Sequence, residues 1–152
     1  MTERIQGLTV KRSTKMKKNI GVLLLLMAMT FTGGCNSKPK KDIGVGPIKE
    51  INLSTSINRD LANNGEVLYA SKCTMCHKFD QKTVGPALGN ITIRRSPEWI
   101  MNMMLNPEVM VKENEAAKTL FTEYNNIPMI NQNLSENEAR SILEFLRQND
   151  SR

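Results

Sequence analysis

Four stretches of the chain place apolar residues at helical spacing. In the first, Leu61 to Lys72, Leu61, Leu68 and Val67 are expected to face inward. The second opens on Ser96-Pro97-Glu98-Trp99, with serine at the cap and proline at the first helical position, and runs to about Leu105 before Asn106-Pro107 stops it. It gathers Ile100, Met103 and Met104 on one face, with Trp99 beside them. A third, roughly Glu113 to Glu123, turns Ala116, Ala117, Leu120 and Phe121 inward. The last opens on the capping box Ser135-Glu136-Asn137-Glu138 and continues to about Gln148, with Ala139, Ile142, Leu143, Phe145 and Leu146 as its apolar stripe. Residues 61–152 therefore predict an all-α domain of about four to five short helices. Gly65 sits within the first helix, where glycine costs about 1 kcal/mol relative to alanine. Either another helix crosses closely there, the final stripe being the natural partner, or the glycine lies harmlessly near the helix start.

Two segments precede this domain. Lys15-Met16-Lys17-Lys18, an apolar run from Ile20 to Thr32 and then Gly33-Gly34 describe a secretory signal over residues 1–34, with Met16 as a possible true start. The run is too short to span a bilayer, which takes about 20 residues. The small pair before Cys35 resembles a bacterial lipoprotein box, in which the cysteine is lipidated and becomes the mature N-terminus. Thr32 departs from that pattern, where an aliphatic residue is usual, and leaves a retained anchor or plain secretion as alternatives. Residues 36–60 hold Ser-Lys-Pro-Lys-Lys-Asp, two glycines and Pro47 without periodicity, so residues 35–60 read as a lipidated N-terminus and flexible tether. The alternative is an extension that packs on the domain through Ile48, Ile51 or Leu53.

Composition alters one part of this picture. The net charge is +6 over 152 residues, but residues before Cys35 carry +5 of it and those from Cys35 onward only +1. No basic tract interleaved with aromatics survives beyond the leader, so nucleic-acid binding is unsupported. Aromatic residues make up 5% of the chain and methionines number ten, which leaves a helical core short of large side chains.

The candidate chemistry centres on Cys73-Thr74-Met75-Cys76-His77. Two thiols three positions apart with histidine directly after them read as an attachment site for a c-type haem, each sulfur adding to one vinyl group and the imidazole rising to the iron. A zinc site would need four nitrogen or sulfur ligands, whereas the chain has three cysteines and one histidine. A dithiol redox site expects a βαβ context that is absent here. Lipidation of Cys35 would leave Cys73 and Cys76 as the only free thiols. Pro86, nine residues past His77, is placed either to accept the other imidazole N–H on its carbonyl or simply to make a turn with Gly85. A single histidine excludes bis-histidine ligation. Met129 lies 52 residues after His77 in the proline-containing loop Asn125 to Leu134 and is the leading sixth ligand, against Met110, another methionine or an open site. The methionines at 103 and 104 are expected to fill the core. Arg94, Arg95 and Trp99 are expected as solvated arginines and a packed indole rather than contacts to a haem carboxylate.

Taken together, Gly65 and Tyr69 ahead of Cys73-x-x-Cys76-His77, Gly85-Pro86, Pro128-Met129 and the Leu134-Ser135-x-x-Glu138 helix opening resemble a class I, single-haem cytochrome c. That resemblance implies an all-α fold around one covalent haem, with first and last helices crossing at Gly65 and near Phe145. It also implies His77 and Met129 as axial ligands and one-electron carriage rather than catalysis. Arg95-Ser-Pro-Glu-Trp-Ile and the later Asn-Leu-Ser look similar to lipid-tethered bacterial cytochromes of respiratory chains. The implied route runs from quinol-oxidising complexes to a terminal oxidase or a denitrification reductase such as nitrous oxide reductase, on the periplasmic side of a bacterial membrane, with the protein a monomer. The rival readings are a haem sensor or small haem enzyme with an open distal site, and a fixed cytochrome subunit of a larger reductase.

Overall fold

Six helices follow one another through the residues that the computed structural model describes, 41–152, and no strand lies among them. They are α1 (Arg59–Lys72), α2 (Ile91–Arg94), α3 (Pro97–Leu105), α4 (Pro107–Glu113), α5 (Glu115–Glu123) and α6 (Glu136–Asp150). The leader and Cys35 lie outside the described residues.

The frame is the crossing of α1 and α6. Ala62, Gly65 and Tyr69 form the buried face of α1. A Cβ placed on Gly65 would stand 2.0 Å from the backbone oxygen of Ser141, so only glycine allows the two backbones this close. Beside the crossing, Tyr69, Phe79 and Phe145 cluster with ring centroids 5.0 to 5.8 Å apart. The α6 stripe Ala139, Ile142, Leu143, Phe145 and Leu146 is buried as its spacing predicts. Val67, expected inward, is 70% exposed, because the close approach selects the small residues at 62 and 65 and turns Val67 to the far side.

Caps set the other boundaries. The hydroxyl of Ser96 accepts from Trp99 N and Pro97 starts α3. Pro107 ends that helix as expected but also opens α4, since proline is preorganised for a first helical position. The third predicted helix accordingly begins later, at Glu115, with Asn114 as its cap. Ser135 and Glu138 form the reciprocal capping box of α6.

The expected tether is corrected from residue 41 onward. Ile48 is buried, and Val45, Ile51 and Leu53 pack against the core. Asn102, fully buried on α3, donates to the carbonyls of Ile43 (2.9 Å) and Ile48 (2.8 Å) and accepts from Ile48 N (2.9 Å). The carbonyl of Ser54 accepts from Arg147 on α6 at 2.7 Å. Residues 41–54 are thus a strap, made cohesive by backbone hydrogen bonds to side chains rather than by periodicity of its own.

Candidate functional site

The Cys-x-x-Cys-His segment emerges where α1 ends. Cys73 caps α1 through its N–H to Tyr69 O, and the N–H groups of Cys76 and His77 both bond the carbonyl of Cys73, at 3.1 and 2.9 Å. This turn brings Cys73, Cys76 and His77 to one wall of a predominantly apolar cavity of about 270 Å³. Both cysteines are free of disulfide. Burial, reinforced by Cys76 and opposed by Lys72, pushes the Cys73 thiol up to about 11. Burial likewise takes the Tyr69 phenol up to about 12, with Cys73 adding to the effect.

His77 is held from behind. Its Nδ1 lies 2.9 Å from the Pro86 carbonyl, which leaves Nε2 for a metal and fixes the ring plane. Gly85 lies flat against the imidazole: a Cβ there would be 2.4 Å from Cε1 and 2.8 Å from Nδ1 of His77. The Gly85 loop is tied to the motif by Gly85 N to Cys76 O at 2.8 Å and Thr83 Oγ1 to Cys76 O at 2.6 Å.

Met129 lines the same cavity, from the loop between α5 and α6. Asparagines shape both ends of that loop, with Asn125, Asn126 and Asn133 in the left-handed region at φ 57, 58 and 51°. Two lysines clip it to the haem-motif side: Lys72 Nζ donates to Gln132 O (3.2 Å), and Lys82 Nζ donates to Glu123 O (3.3 Å) while lying over the Tyr124 ring. Met103 and the buried Met104 also reach the cavity wall, whereas Met101 and Met110 are buried in the core away from it. Arg94 and Arg95 line the cavity too. Arg94 donates to the carbonyls of Ala87 and Gly89, and Arg95 stacks 4.8 Å over Trp99, which is 3% exposed.

The profile of the family described as "Cytochrome c" matches residues 62–150. The chain belongs to the cytochrome c family. Among solved structures it is similar to a cytochrome c from Rhodothermus marinus at 44% identity and TM-score 0.68, over 70% of this chain and 90% of that one. An engineered form of the Rhodothermus protein bound to a carbene intermediate is 44% identical with TM-score 0.66, over 70% and 92% of the two chains. A cytochrome c domain from Pseudomonas putida, 24% identical with TM-score 0.52 over 58% and 89%, shares the fold. No curated protein matches the chain significantly.

The residues present fit the covalent haem of that family. One pair of thiols and one oriented imidazole share the wall of an apolar cavity, and the glycine facing the imidazole leaves its ring room. Cys73 and Cys76 would hold the haem c, which would supply one-electron ferric–ferrous chemistry, and the cytochrome is a haem-based electron carrier. The chain's own part would be to attach and orient that group. Two features escaped sequence reasoning. Thr83, whose hydroxyl braces Cys76 O, carries no local signal. The lysine clips on the Met129 loop join residues 41 and 60 positions apart.

Proposed function

We propose that His77 and Met129 are the axial ligands of the haem and that the cytochrome passes single electrons from a quinol-oxidising complex to a terminal oxidase or a denitrification reductase such as nitrous oxide reductase. The observation that carries the ligand pair is the shared cavity, with His77 fixed by Pro86 and Met129 presented from a clipped loop. Exposed Val84, Ile127 and Ile130 border that cavity and favour a small, transient docking patch for a redox partner. In the ferric protein, Met129→Ala turns a low-spin spectrum high-spin while Met103→Ala does not. A low-spin spectrum surviving Met129→Ala removes Met129 as ligand.

In this proposal the protein is a monomer at the periplasmic face of a bacterial membrane, lipidated on Cys35. Because the strap is bound from Lys41 onward, six residue steps remain for a tether, a reach of roughly 20 Å at full extension. Labelled palmitate should be incorporated into the wild-type protein and not into Cys35→Ser; an unlabelled wild type overturns the lipid reading. The carbene intermediate held by the engineered relative favours a second reading, in which the side opposite His77 admits a small exogenous ligand. A ferric wild-type protein that is high-spin would select it.

A further inference from the structure

The strap does more than cover α3. Its carboxylate Asp42 Oδ1 accepts from Asn114 Nδ2 at 2.9 Å, and Asn114 Oδ1 in turn accepts from Trp99 Nε1 and Ala117 N, both at 3.0 Å. Trp99 belongs to α3, Ala117 to α5, and both line the haem cavity. Asn114 is therefore the seam between two walls of the cavity, and it spends three of the four hydrogen-bonding directions of its amide on the seam and the strap. Asp42 is fixed in turn, since its carbonyl accepts from Ser96 Oγ at 2.6 Å and its carboxylate from Gly44 N at 2.9 Å. Gly44 rests against Met110 and the edge of the Trp99 indole. None of these strap residues falls within residues 62–150, the span matched by the family.

We propose that Asp42 and Asn114 are a positioning pair, through which the N-terminal strap fixes the Trp99 indole and closes the wall of the haem cavity against exogenous ligands. Opening the cavity for an outside ligand moves α3 against α5, and the pair resists that motion at the one residue bonded to both. Strap and cavity are then one cooperative unit: loosening the first raises the population of the open second.

The test uses the full-length, haem-loaded ferric protein with imidazole as the probe ligand, comparing wild type, Asn114→Ser and Asp42→Ala. Serine keeps a cap for α5 but is too short to bridge Trp99 and Asp42. Both variants should bind imidazole about fivefold more tightly, the factor that one hydrogen bond of ordinary net strength is worth. The Trp99 indole N–H should exchange with solvent faster by a similar factor. Unchanged imidazole affinity and unchanged indole exchange in both variants, even with a lower melting temperature, reduce the pair to a structural staple. Should Asn114→Ser not fold, Asp42→Ala decides alone, because Asp42 is exposed and its loss leaves no cavity. The imidazole arm rests on Met129 as sixth ligand; the indole arm does not. A wild-type protein already high-spin would therefore sink the ligand proposal while leaving the positioning pair to be judged by exchange.

Discussion

Gly65→Ala separates two accounts of the fold by the sign of one measurement. A glycine that merely lies inside a helix predicts stabilisation by about 1 kcal/mol on replacement, because alanine is the better helix former. The crossing predicts the opposite. The new methyl group would stand 2.0 Å from Ser141 O, 2.5 Å from Ser141 C and 3.0 Å from Ile142 N, all backbone atoms of α6 that no side-chain rotation can remove. An ordinary contact needs about 3.5 Å, so the two helices must part by more than an ångström, and a gap of that order forfeits a quarter to a half of each contact across the interface. Tyr69 and Phe145 stand at that interface, 5.2 Å apart between centroids. Overpacking of this kind costs about 1–3 kcal/mol, and with the lost contacts the net loss should reach about 2–4 kcal/mol after the propensity gain. A domain of this size then melts about 10–20 °C lower. Guanidinium and thermal unfolding of the haem-loaded protein, followed by far-ultraviolet circular dichroism, measure it, with exposed Glu66→Ala as the control. A melting temperature for Gly65→Ala equal to or above that of wild type refutes the crossing as the reason for glycine.

Asn102→Ala should destabilise the domain by about 3 kcal/mol, because Ile48 N–H and two strap carbonyls lose a fully buried partner. Chemical denaturation reads this, and a change within about 0.5 kcal/mol would show the strap to be ornamental. Gly85→Ala should push the His77 ring off the Pro86 carbonyl, lowering the yield of holoprotein or altering its ferric spectrum. An unaltered spectrum and yield for Gly85→Ala would mean that the loop, not the ring, gives way. The Glu98 carboxyl is raised by burial, but the Lys41 ammonium paired with it at 2.6 Å, with backbone donors, outweighs that and holds it below the ordinary glutamate value. Its folded value lies under the unfolded one, so its contribution is present above about pH 4.5 and disappears as pH falls through the folded value. Lys41→Ala should therefore move the acid-unfolding midpoint to higher pH; an unmoved midpoint refutes the pairing.

What was legible in the sequence was local. Ser96-Pro97 and Ser135-x-x-Glu138 announce their helices because a cap is completed within four residues, and the α6 stripe needs only its own period. His77 and Pro86 were legible for the same reason, nine residues apart on one loop. The strap was not. Its partners lie 54 to 93 residues away, at Asn102, Asn114 and Arg147, and a polar residue buried in a helix carries no sequence signal that distinguishes it from a solvated one. Its glycines read as flexibility, but Gly46 is there for closeness: a Cβ on it would collide with the Asn102 side chain. This displaces the boundary of the folding unit. A helical domain starting at residue 61 has a thin core, as chains of about 90 residues do. Ile48, Val45, Ile51 and Leu53 add to it from the side of α3, while Asn102 and Asn114 tie them to the cavity wall. The strap thus belongs to the core rather than to the tether, and truncation at residue 61 removes part of the pocket's support.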